Sequence, residues 1–290
     1  MTTTTPSTSS TPTGASEAHG RPHPTAHPSP RQAAHRPWET RPGIPLPRIV
    51  DVELRKSFDT RAGFWLLASI GLAALLTTGA VIAWAPASQF SYSQFTLAIG
   101  VPMSVILPII AVLSVTAEWS QRTGLATFTL VPHRGRVLLA KALAAALVAL
   151  AATAVAFAVG ALGNVVGASI AAIDTVWDQG LADVGYFALG NTLLLLVGFT
   201  LGALIRNSPG AIVAYMVYAF VAPGLLAFLA FSQAWFRDAR PWVDPKFNQD
   251  ALLQGGLTGA GWTHLAVTTI VWLVLPLALA VVNLLRSEVK

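Results

Sequence analysis

Residues 64–85 read FWLLASIGLAALLTTGAVIAWA, an unbroken stretch without one charged side chain. As a helix rising about 1.5 Å per residue it reaches about 33 Å, enough to cross the roughly 30 Å hydrocarbon core of a bilayer. Working outward, five further segments meet the same requirement, at about 96–116, 137–159, 185–205, 211–231 and 265–285. Dividing the apolar run 137–173 into two spans would leave about 13 residues for one half, too few to cross. Six spans are therefore expected, and the fold class is all-α and polytopic.

Composition agrees. With 54% hydrophobic and 11% charged residues among 290, the chain carries more apolar surface than one soluble core of that size can hide. Cysteine is absent, which removes disulfides, thiol nucleophiles, Cys-ligated zinc and iron–sulfur clusters. The formal charge is +5, yet 15 of the 18 Lys and Arg fall before the first span, after the second and fourth, or after the sixth. That asymmetry is an orientation signal and places both termini in the cytoplasm; no nucleic acid is needed to explain it. Trp65, Trp84, Trp119, Trp177, Trp235 and Trp262 mark span ends, as an interfacial aromatic belt requires.

Residues 1–47 are rich in Thr, Ser, Pro, Ala and His, with no apolar periodicity, and read as a disordered cytoplasmic tail. No secretory leader precedes Phe64. The tail histidines His19, His23, His27 and His35 are irregularly spaced and broken by proline, a pattern of solvated sequence more than of a metal site. Over 48–63 the pattern changes. Val50, Leu54 and Phe58 recur every four residues while Arg55, Lys56 and Asp59 share the other side. This is either an amphipathic helix on the inner membrane surface or a charged extension of the first span.

Within the spans, Gly198 and Gly202 are spaced for close approach of helix backbones, and the third span leads into Gly160, Gly163 and Gly167. Pro102, Pro108, Pro223 and Pro276 are expected to kink their helices. No Asp or Glu falls inside a span, and Lys141 lies one turn inside the third, where its stem can snorkel. The polar groups at depth are Asn191, Thr200, Tyr215, Tyr218, Thr268 and Thr269. An ion-coupled transporter needs an ionisable group at mid-bilayer, and this chain offers none there. Nor is there a G-x-x-x-x-G-K-[ST] phosphate loop, since none of the four lysines follows a glycine. Any energy source belongs to another chain, and no cofactor is expected in this one.

One connection differs from the rest. Residues 118–141 read EWSQRTGLATFTLVPHRGRVLLAK. Thr123 and Gly124 open a helix-compatible piece with Leu125, Phe128 and Leu130 on its apolar side; Pro132 ends it and Gly135 turns the chain toward Arg136. By periodicity this reads either as an element that docks into a cytoplasmic partner's groove or as a basic loop packed under the bundle.

The stretch resembles the first cytoplasmic loop of ABC-transporter permeases of the second export class, through Glu118, Trp119, Thr123, Leu130, Pro132, Arg134, Arg136 and Lys141. It departs in one place: Arg122 precedes Thr123 and Gly124 follows it, where the family more often has Gly before Thr. The resemblance extends loosely over 49–290 and implies a division of labour. Two permeases, identical or related, would form an export pathway above two cytoplasmic ATP-binding cassette subunits that hold the ATP. This chain would then be non-catalytic, with Leu125, Phe128 and Leu130 buried against the ATPase and Glu118, Arg122 and Arg134 fixing direction through charge pairs. The excess of Arg over Lys, 14 to 4, and the abundance of Ala point to a bacterial genome rich in G and C, hence to a multi-pass protein of the plasma membrane.

Two other readings stay open. One is a membrane enzyme whose external site uses Asp174, Asp178 and Asp183, which could bind a divalent cation, or the segment 237–262, with His264 read as interfacial. The other is an anchor or sensor without transport activity.

Overall fold

The computed structural model describes residues 44–59, 61–120 and 134–286. Every regular element among them is helical. A short helix α1 (Leu46–Asp59) precedes α2 (Arg61–Trp84), α3 (Tyr92–Ser120), α4 (Arg134–Ala171) and α5 (Leu181–Ile205). Helix α6 joins Ser208–Met216, a π-helical turn Val217–Val221 and Ala222–Ser232. Two short helices, α7 (Ala234–Val243) and α8 (Pro245–Leu253), lead to α9, built from Gly259–Thr269, a π turn Ile270–Val274 and Leu275–Arg286. Six of these helices are long and apolar enough to cross a membrane, and they coincide with the six expected spans.

Helix α5 is the hub, packing on α3, α4, α6, α8 and α9. The core is layered from Ile99, Met103, Leu107 and Ala111 of α3, Ala145, Ala149, Ala152 and Ala156 of α4, and Leu195, Phe199 and Ala203 of α5. The alanine row repeats every three or four residues, so one face of α4 is smooth enough for its neighbours to approach closely. Large apolar side chains point the other way: Leu72, Leu75 and Leu76 of α2 and Phe220, Leu225 and Phe228 of α6 are exposed. In a chain with six spans, such surface meets lipid.

Helix α4 differs most from expectation. Its 38 residues extend about 57 Å, well beyond a bilayer core, and it runs on from Val159 to Ala171 through a stretch that holds three glycines. Those glycines cost helix propensity of about 1 kcal/mol each in an exposed setting. Here they are contact points. A Cβ on Gly160 would stand 2.8 Å from Thr96, on Gly163 2.5 Å from Thr78, and on Gly167 3.1 Å from Phe95. The extra turns are held by their packing on α2 and α3.

The prolines resolve in two ways. Pro223 and Pro276 each follow a π turn, which widens the backbone where the pyrrolidine ring would otherwise meet the carbonyls of Ala219 and Trp272. Helix α3 stays α-helical across Pro102 and Pro108. Pro108 has no N–H for the carbonyl of Ser104, and the fully buried Tyr215 hydroxyl of α6 donates to that oxygen at 2.5 Å. Tyr215→Phe is expected to lower stability by about 1 kcal/mol, measured by thermal unfolding in detergent. In a Pro108→Ala background, where a backbone amide again serves Ser104, the same substitution should cost measurably less; equal costs would show that the hydroxyl is not replacing the lost amide.

Candidate functional site

Lys141 does not snorkel alone. Its Nζ lies 2.6 Å from Oε2 of Glu53 on α1, and both side chains are under 10% exposed. Lys56, one turn on along α1 and half exposed, reaches the other carboxylate oxygen at 2.6 Å. Burial alone would push the Glu53 carboxyl up; the Lys141 ammonium, by its charge and hydrogen bond, together with Lys56, overrides this and holds it below the ordinary glutamate value. The buried side of α1 therefore includes Ile49 and Glu53, one turn apart, with Val50 and Leu54 half-buried beside them. Sequence periodicity found the half-buried Val50 and Leu54 and missed the carboxylate. A signal existed, because a lone ammonium inside a span asks for a counter-ion, and α1 carries three acidic residues, Asp51, Glu53 and Asp59. The Phe58 side chain lies outside the described residues.

This ion pair ties α1 to the foot of α4, two turns past Arg134. Of the residues expected to dock an ATPase, Glu118 falls in the last turns of α3 and Arg134 opens α4. Arg122, Thr123, Gly124, Leu125, Phe128, Leu130 and Pro132 lie outside the described residues. The helices that frame the loop are both integral to the bundle, α3 and α4 packing on each other.

The α5–α6 turn is built tightly. Arg206 takes a left-handed conformation (φ 54°) and closes α5 by donating its N–H to the carbonyl of Gly202. Asn207 then caps α6, its Oδ1 accepting from the N–H of Gly210 at 2.9 Å. Ser208 and Thr116 share a hydrogen bond of 2.6 Å, pinning this turn to α3. Between the end of α5 and the end of α9 opens a cleft of about 430 Å³ lined by Ala203, Leu204, Arg206, Ala280, Asn283 and Arg286.

At the other end of the bundle the three aspartates do separate work. Asp178 accepts from the backbone N–H of Ser93 at 2.8 Å and from the Ser93 hydroxyl, capping α3. Burial would raise this carboxyl, but the Ser93 bonds outweigh it and hold it below the usual aspartate range. Asp183 accepts from the N–H of Gly180 at 2.8 Å at the start of α5. Among the described residues no group of three or more His, Asp or Glu is placed to hold a metal. The segment 234–253 is a pair of helices with a polar interior. Asp244 is buried, paired with Arg240 at 3.1 Å, and caps α8 through Phe247. Asn248 donates to the carbonyl of Pro241 at 2.7 Å, and Gln249 accepts from Tyr218 of α6 at 3.0 Å. Leu253 lies against Gly190 of α5, where a Cβ would stand 2.6 Å away. His264 meets Trp242 edge to face at 4.3 Å. These groups bond one another and cap helices.

Of the polar groups at span depth, Thr268 donates to the carbonyl of His264 and Asn191 to that of Phe187. The Thr200 hydroxyl and the Asn191 carbonyl oxygen are buried without a partner. The spans carry Arg136, Lys141, Asp183 and His264 as their charged or titratable residues other than tyrosine, each within two turns of an end. The chain matches no known family model and no curated protein.

Proposed function

We propose that the chain is the membrane-spanning permease subunit of an ATP-driven ABC exporter. The observation that carries the reading is the distribution of charge: six spans without an ionisable group at mid-bilayer, and one basic, amphipathic connection between α3 and α4. Work on the bundle must then come from outside it, and residues 118–141 are the part of the chain suited to receive it. The foot of α4 supports this. A push on the loop is delivered to the N-terminal end of α4, which α1 grips through Glu53 and Lys141, so the two helices move together. In this reading the termini face the cytoplasm of a bacterial plasma membrane, a second copy or paralogue completes the pathway, and a separate cassette subunit binds and hydrolyses ATP.

The test is capture of the ATP-binding subunit. Leu125→Asp combined with Phe128→Asp is expected to abolish co-purification with the co-expressed cassette protein while membrane insertion is unchanged. Undiminished capture would remove the docking role.

A further inference from the structure

Helices α7 and α8 do not lie over the end of the bundle; they enter it. Leu253 of α8 packs on Gly190, which lies about 14 Å along α5 from Leu181. Gly256, just past α8, lies against Tyr186, one turn nearer the start of α5, so α8 climbs back toward the end of the bundle that α7 came from. Deeper in, Leu252 shares an apolar cluster with Leu193, the middle residue of α5, and Gln249 bonds the hydroxyl of Tyr218 in the π turn at the middle of α6. The inner end of α8 therefore sits near the midplane of the spans, about 15 Å from either face of a bilayer core.

The two faces of α8 differ. Pro245, Asn248, Gln249 and Leu252 are buried against the bundle. Lys246, Phe247, Asp250 and Gln254 follow one another on the opposite face at three- and four-residue spacing. Lys246 and Asp250 are paired there, and the Asp250 side chain is 41% exposed. The spans keep charge out of this depth, whereas α8 brings a self-neutralised pair into it. A carboxylate so exposed at mid-depth cannot face hydrocarbon, because its side chain is too short to reach the interface; it needs a protein wall or water. Gln254, exposed one turn higher, continues the polar face to the end of the bundle, and that continuity favours water.

We propose that this face of α8 lines a water-filled vestibule, open at the α7–α8 end of the bundle and reaching mid-depth at the level of Tyr218. In the transport reading, on which only this step rests, a second copy supplies the facing wall.

The chain has no cysteine, so single cysteines report access to water directly. A membrane-impermeant cationic methanethiosulfonate is added to intact cells or to inverted vesicles. Asp250→Cys should react from the same side as Thr258→Cys, an exposed position in the connection to α9, and within about tenfold of its rate. Leu225→Cys, on the exposed apolar surface of α6, should react about a hundredfold more slowly. Phe247→Cys leaves the ion pair intact and should react like Asp250→Cys; it decides the matter where Asp250→Cys does not run as a single species in gel filtration. A folded variant of either kind that stays unlabelled overturns the proposal, as does labelling only from the side opposite Thr258→Cys. An unlabelled Asp250→Cys that forms disulfide-linked dimers would show that a second copy seals this face dry. Labelling needs no ATPase, so the vestibule can be found where capture of the cassette subunit fails, and the reverse.

Discussion

Glu53→Gln is expected to detach α1 from the bundle, at a cost of about 3 kcal/mol. Removing one member of a buried ion pair leaves the other charge without compensation, which in protein interiors costs roughly 3–5 kcal/mol. The lower end applies because Lys141 lies two turns inside α4 and its stem can carry the ammonium toward water once the carboxylate is gone. Lys141→Met should cost less, about 2 kcal/mol, since Glu53 keeps its bond to the half-exposed Lys56. Replacing both, Glu53→Leu with Lys141→Met, should return stability to within about 1 kcal/mol of the parent, because a well-packed apolar pair is as good as a buried ionic one. Trypsin cleavage after the exposed Arg55 reads out the detachment. Equal cleavage rates for Glu53→Gln and the parent would show that the ion pair does not hold α1.

The same contact sets a pH dependence. Glu53 titrates lower in the folded chain than unfolded, so its contribution is complete above the ordinary value of 4.5 and is lost as pH falls through the lowered one. Protection of the α1 amides against hydrogen exchange, taken relative to their intrinsic rates at each pH, should fall on acidification below that value. In Glu53→Gln the acid step should be missing, with protection low throughout.

How far the sequence carried the fold depends on which physical signal each part rests on. Spans announce themselves by apolar length, which is local, and all six were legible. The last third of α4 was not, because apolar length sufficient to cross a bilayer is already reached at Val159; Gly160, Gly163 and Gly167 read as sites of close approach, and the structure supplies what they approach, Thr78, Phe95 and Thr96. Helices α7 and α8 were read as a connecting segment for a related reason. Their buried residues include the polar Asp244, Asn248 and Gln249 beside Phe236 and Leu252; Arg240 and Pro241 satisfy the first two locally, but Tyr218, the partner of Gln249, lies 31 positions away. Lys141 was visible as an anomaly, but its answer lay 88 positions away in Glu53. The three aspartates were a local cluster in sequence that folding separates into two caps and an exposed Asp174. The loop 118–141 rests on its residue pattern, with Glu118 and Arg134 set in the helices that frame it.

Gly198→Ala is expected to be the most damaging single-methyl addition in the bundle. A Cβ at this position would stand 2.6 Å from the carbonyl oxygen of Pro108 and 2.8 Å from its Cα. Both are backbone atoms of α3, so no side chain can rotate away and the two helices must separate. A cost of about 3 kcal/mol follows for forcing that shift into a packed core. One turn on, Gly202 approaches Val112 less closely, 3.2 Å to Cα and 3.3 Å to the oxygen, so Gly202→Ala should cost about 1 kcal/mol. Gly71 and Gly79 of α2 have nothing within 4 Å, and alanine at either should be neutral or slightly stabilising. Thermal midpoints in detergent for the four variants should therefore rank in that order. Equal midpoints would mean that α3 and α5 do not meet backbone to backbone at Pro108. The contact matters beyond stability for the proposed transport role, because α3 runs on to Glu118, where the loop proposed to receive the load begins.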